Sequence, residues 1–173
     1  MDASTLGFIF IVVLYAMVGF GGAVGCIAIT QKFLRPKWEQ VTYASFLIVV
    51  AAAYLAFAAY FRADGAWTLE TRAVIAFTVL ALIGMRMSLA LIVAYPLHGV
   101  WDALHELQAH GGYAAFGADT STPIPVAYGV LCAAFDFAMA GYFIYRRRAW
   151  GDDWRSGSGV SDVRSGSTSA RPA

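Results

Sequence analysis

The sequence predicts an all-α, polytopic integral membrane protein with five transmembrane helices. Three observations predict it. Apolar runs about as long as a bilayer is thick recur along the first 145 residues. Only 13% of the chain is charged, against about a quarter in a soluble domain, and the charges sit in narrow bands between the runs. Those bands place nearly all Lys and Arg on one side only when five crossings are drawn.

The first run covers 6–29 and the second 41–61. At 1.5 Å per residue, each is long enough to cross an apolar layer of about 30 Å. Lys32, Arg35 and Lys37 form a short basic loop between them. The stretch from Trp67 to Leu107 reads in two ways. As one long helix plus an interfacial segment it gives four spans. Broken near Gly84-Met85-Arg86-Met87-Ser88 it gives two spans, 67–85 and 87–108, and five in all. Five spans put the first basic loop, Arg86 and the arginines Arg146 to Arg148 on one side, leaving Arg62 and Arg72 opposite. They also remove Arg86 from mid-helix in lipid, where a charge is costly. The fifth span is 124–145, and residues 1–148 make one transmembrane domain. The Ser/Gly-rich remainder, 149–173, has little apolar surface and is expected to be a disordered cytoplasmic tail.

Lys and Arg concentrate on the cytoplasmic side, so the N-terminus is expected outside and the C-terminus in the cytoplasm. The formal net charge of +1 gives no basic bias toward nucleic acid. Cys26 and Cys132 both lie in apolar runs and form no CxxC pair. The N-terminus lacks the basic n-region of a signal peptide, and Ala23-Val24-Gly25-Cys26 is only a faint lipoprotein box. Small residues mark the first span (Gly19, Gly21, Gly22, Gly25) and the second (Ala51 to Ala53, Ala56, Ala58, Ala59). They suit close helix packing, within the chain or in a homo-oligomer. Trp38, Trp67, Tyr145 and Trp150 fall at span ends and read as interfacial anchors.

The chemistry-bearing residues gather in the fourth and fifth spans. His98, Asp102 and His105 are spaced i, i+4, i+7 and share one stripe of a helix, with Glu106 at its edge. Pro96 precedes them and is expected to kink the helix. The fifth span carries Cys132 and Asp136, again i, i+4. Antiparallel packing brings His98 and Asp136 to similar depth. A carboxylate there is expensive unless paired or protonated, which makes His98 its expected partner. Three readings follow. His98, Asp102, His105 and Asp136 are candidate ligands for a divalent metal (zinc, iron or manganese), with Trp101, Glu106 and Cys132 adjoining. The same groups serve as a proton or ion relay. Or the pairing is a structural bridge between helices. His110, beside two glycines, reads as a solvated loop residue.

His98-Gly99-Val100-Trp101-Asp102-Ala103-Leu104-His105, then Pro123-Ile124-Pro125, then Cys132-Ala133-Ala134-Phe135-Asp136, resembles a group of small bacterial membrane proteins known as domain of unknown function 6010. Gly84-Met85-Arg86 also fits its pattern. The likeness is good over 84–143 and looser before it. It implies a five-helix protein of the bacterial inner membrane with the H-x3-W-D-x2-H helix as its hallmark, and it supplies no activity. Glu106 stands where the pattern often has a second His. The functional expectations are therefore an intramembrane His/Asp site acting as a metal centre, with catalysis on a lipidic substrate; a small transporter or proton-coupled carrier; or a structural or assembly subunit. No nucleotide-binding motif or nucleophile elbow is present.

Overall fold

The computed structural model describes residues 3–117 and 120–157, and within them the chain is helical, with no strand. Five α-helices follow in order: α1 Ala3–Phe33, α2 Pro36–Tyr60, α3 Trp67–Gly84, α4 Ser88–His110 and α5 Tyr128–Gly157. Four of them, α1, α2, α3 and α5, are long and apolar enough to cross a membrane. The fifth, α4, carries the polar stripe that lowers its hydropathy, and it lies among the others. Both the five-span reading and four spans plus one further helix agree with this arrangement.

Local chemistry sets the breaks. Pro36 opens α2 behind an extended Arg35, because proline fits the first helical turn and cannot donate to the turn before. An extended Met87 separates α3 from α4, as the Gly84-Met85-Arg86 pattern predicts. The helix α4 continues through Pro96. Arg62 and Ala127 adopt left-handed φ of 54° and 60° at two corners, strain that a β-carbon makes costly.

The helices α2, α3, α4 and α5 pack in sequence, and α2 also reaches α4 and α5. The first helix, α1, stands outside this group, chiefly against α5. Most of its large side chains are exposed, Phe10, Met17 and Phe20 among them, as fits a helix whose solvent is lipid. Two of its glycines serve packing within the chain: Gly19 lies so close to the Leu131 carbonyl that a Cβ would collide, and Gly22 faces Phe135, while Gly21 and Gly25 meet nothing. The α4 stripe 91, 94/95, 98, 102, 105/106 faces inward, while Leu89, Val93, Leu97 and Val100 face out. The helix is thus turned polar side in.

At the basic end, two buried polar side chains at the start of α2 gather the helix ends. Glu39 accepts from the Tyr142 hydroxyl, from Arg146 Nε at 2.9 Å and from Trp150 Nε1 at 3.1 Å. Gln40 donates to the Gly84 carbonyl at 2.7 Å and accepts from Trp154 at 3.1 Å. Arg86 lies over the Trp154 ring, 4.2 Å from its centroid. Two expectations change here. Trp150 is fully buried and is a hydrogen-bond donor, not an interfacial anchor. The chain after Arg148 does not leave the fold at once: α5 runs on to Gly157, because its two tryptophans dock on α2. The sequence there is polar on average, so no apolar run signalled a docked helix. The rest of the expected tail, 158–173, lies outside the described residues.

About 20 residues of α5 after Tyr128 fill the apolar layer, so Asp153 stands beyond it. Its carboxylate accepts from the Lys37 amide at 3.0 Å and from Arg35 at 2.9 Å. The amide bond and the Arg35 charge hold its carboxyl below the usual range. A folded-state value below the unfolded one adds stability at neutral pH that fades as acid protonates the group.

Truncation after Arg148 is expected to lower the unfolding temperature of the detergent-solubilised protein relative to the full chain. Glu39→Ala, which strands a partly buried Arg146 and two aromatic donors, is expected to cost about 3–5 kcal/mol. Thermal unfolding followed by tryptophan fluorescence measures both, and unchanged midpoints would mean that the basic end adds nothing to stability.

Candidate functional site

The site is built where α4 and α5 come closest. Two glycines permit the approach. A Cβ on Gly99 of α4 would press on Asp136 Cβ at 3.3 Å and the Ala133 carbonyl at 3.4 Å. A Cβ on Gly129 of α5 would collide with the Asp102 carbonyl. With both Cβ atoms absent, Asp136 projects onto His98 one layer below Asp102.

His98, Asp102 and Asp136 are all buried, and one ligand atom from each lies within 4.8 Å of the others. His98 Nδ1 is 2.8 Å from Asp136 Oδ2, a hydrogen bond. The same nitrogen is 3.1 Å from Asp102 Oδ2, at an angle that leaves that oxygen without a hydrogen bond. Asp102 Oδ1 accepts from the Tyr54 hydroxyl at 2.5 Å. His98 Nε2 is buried and has no partner in the protein. Phe77 and Tyr54 stand edge-on to the imidazole, with centroids at 4.9 and 6.2 Å. Among the described residues, no Lys or Arg pairs with either carboxylate. Two acids therefore share one imidazole in a medium that penalises unpaired charge.

His105, expected in the same cluster, belongs to another pair. Its Nδ1 is 3.0 Å from the Trp101 carbonyl, which can only accept, so Nδ1 carries a proton. Its Nε2 is 3.0 Å from Glu70 Oε1 on α3. That same oxygen accepts from the Thr122 amide at 3.1 Å, tying the α4–α5 connection to α3. The other oxygen, Glu70 Oε2, is buried without a hydrogen bond. Trp101 covers this pair with Phe116, its ring 4.9 Å from both His105 and Phe116.

Glu106 is also placed away from the cluster. Its two oxygens accept from the Ala127 and Gly129 amides at 2.9 and 3.0 Å, an anion capping the first turn of α5 from outside. His110 is no free loop residue: it ends α4 with Nδ1 3.1 Å from Glu106. Cys132 lines a cavity of about 100 Å³ together with His98 and Asp136.

Sequence reading missed Tyr54 and Glu70. Tyr54 sits in an alanine-rich run and reads as one more aromatic. Glu70 stands two residues before Arg72 near a span end, where a solvated pair is the ordinary expectation. No spacing on α4 pointed to Glu70, because Asp102 lies one turn from His105 on the same stripe and is the nearer expected partner.

The fold and this site define a helical, multi-pass membrane protein with a buried His/Asp/Asp cluster between two of its helices. The chain belongs to a family of unknown function, DUF6010, whose model matches residues 11–149. No curated relative and no solved structure matches it.

A double-mutant cycle should separate the two pairs. Glu70→Gln with His105→Ala should show a coupling of about 1–3 kcal/mol in thermal stability, and His105→Ala with Asp136→Asn should be additive within about 0.5 kcal/mol. Coupling between His105 and Asp136 as large as that of the first pair would merge them into one cluster.

Proposed function

We propose that this protein holds a divalent transition metal ion at His98, Asp102 and Asp136, inside a multi-pass membrane domain, and works there as an enzyme on a lipidic substrate. The observation that carries the reading is the excess of negative charge: two buried carboxylates converge on one imidazole nitrogen with no basic side chain beside them. A divalent ion with two carboxylates and a neutral imidazole leaves no net charge, which removes the main cost of burying the cluster. Ligand atoms bound at about 2.0–2.2 Å to one ion stand about 3 Å apart, and the Nδ1–oxygen separations of 2.8 and 3.1 Å already approach this. Imidazole with carboxylate oxygens suits zinc, iron or manganese. Three protein ligands leave a position open, as catalytic sites do and closed structural sites do not.

A second reading, a proton relay, draws on Tyr54 and on the Glu70–His105 pair, which extend polar groups from the cluster toward the end opposite the basic loops. Toward the basic end, the Tyr95 hydroxyl donates to the Tyr43 carbonyl, an acceptor with no proton to pass on. That stop favours the metal site.

Elemental analysis of the purified full-length protein tests the proposal. About one equivalent of metal is expected, lost in the His98→Ala/Asp136→Ala double variant and retained in Glu70→Gln. Metal-free parent protein, or stoichiometric metal surviving the double change, sinks the metal site and leaves a His–Asp bridge between α4 and α5.

We further infer the orientation from charge: the end carrying Lys32, Arg35, Lys37, Arg86 and Arg146 to Arg148 faces the cytoplasm of a bacterial cell, with the N-terminus outside. Reporter fusions at the two termini are expected to report opposite sides. The same side for both would return the four-span arrangement.

A further inference from the structure

The cavity beside the cluster has walls of Phe46 and Val50 from α2 and Leu131 and Phe135 from α5. His98 and Asp136, each at most 2% exposed, form its floor, while the wall residues are partly exposed at the outer surface of the bundle. Phe46, Val50, His98, Phe135 and Asp136 lie more than one turn inside their helices, and Leu131 stands in the first turn of α5. The mouth therefore opens toward the hydrocarbon of the bilayer and away from water at either end. The volume of about 100 Å³ is smaller than the roughly 150 Å³ apolar cavity that takes benzene, so it admits a short stretch of chain and excludes a headgroup. One buried nitrogen at this floor residue, His98 Nε2, has no partner in the protein. A buried polar atom left without a partner is costly, and a ligand hydroxyl, which both donates and accepts, would pair with Nε2 in either tautomer of the ring.

We propose that the cavity takes a hydrocarbon chain from the bilayer bearing one hydroxyl at mid-chain, which His98 Nε2 holds beside Asp136. This names the substrate class of the metal site and rests on that reading for its chemistry, though not for its binding. The polar atom of the ligand must lie far from its headgroup, because His98 sits at the middle of α4 and Asp136 more than two turns into α5. An unmodified chain fills the walls and leaves Nε2 unpaired. A chain with a hydroxyl at that depth satisfies both.

The test uses the full-length protein in phosphatidylcholine vesicles and a stearic acid carrying a mid-chain diazirine, with labelled residues located by mass spectrometry. Label is expected on Phe46, Val50, Leu131 and Phe135 above the level on the exposed side chains of α1. Stearic acid hydroxylated at mid-chain should suppress this label at about tenfold lower concentration than plain stearic acid, the size of one buried hydrogen bond. Val50→Trp, which fills the cavity, should remove the cavity label and its competition while keeping the label on α1 and any bound metal. His98→Gln should keep the label and lose the preference for the hydroxylated competitor. Label spread evenly over α1 and the cavity, label indifferent to Val50→Trp, or equal competition by the two fatty acids would each overturn the proposal. Failure of the metal reading is read separately, from the metal content of the parent.

Discussion

An ionisable side chain in hydrocarbon must find a partner or lose its charge, and this constraint orders the molecule. The helix α4 brings His98, Asp102, His105 and Glu106 on one stripe into a layer that solvates none of them. Each is met by a different neighbour: Asp136 and Gly129 from α5, Tyr54 from α2, Glu70 from α3. The other helices of the packed group are placed by what α4 needs. Only α1, apolar on every face, is free of that demand and stands outside.

The partners differ in what they leave over. Glu106 and the amides at the start of α5 satisfy one another, as do Glu39 and its three donors at the basic end. Both arrangements close a helix end and ask nothing further. At the cluster, Asp102 Oδ2 and His98 Nε2 remain without hydrogen bonds although buried. Proteins seldom leave such atoms unpaired, and where they do the gap points to water, an ion or a ligand. The surplus separates a site from a fastening: the cluster holds two of the four buried, unpaired side-chain atoms among the described residues, beside a cavity, the others being Glu70 Oε2 and His110 Nδ1.

Much of this was legible in the residues. Run lengths and the distribution of arginines give the five helices, and the break at Gly84 to Ser88 falls where the pattern puts it. The stripe on α4 and the one carboxylate in the apolar part of α5 identify His98, Asp102 and Asp136, because helical spacing fixes which residues share a face. What spacing cannot fix is the rotation of one helix against the next. His98 and His105 lie seven residues apart on one stripe, yet they meet different helices, since α5 and α3 flank α4 on two sides. The helical extension past Arg148 was hidden for a related reason. Two tryptophans and an aspartate hold it, and each contact is specific to one partner on α2 or the loop before it.

The position of α1 bears on how the chain is made. Of the five described helices α1 is made before its main partner, α5, by about a hundred residues, on the order of five to twenty seconds at ordinary rates of synthesis. During that interval it must persist alone in the bilayer, and its unbroken apolar surface lets it do so. The polar helix α4 has no such tolerance, and the segment that shields it is the next to emerge. Birth order thus lets the self-sufficient helix wait and keeps the dependent one exposed for the shortest time.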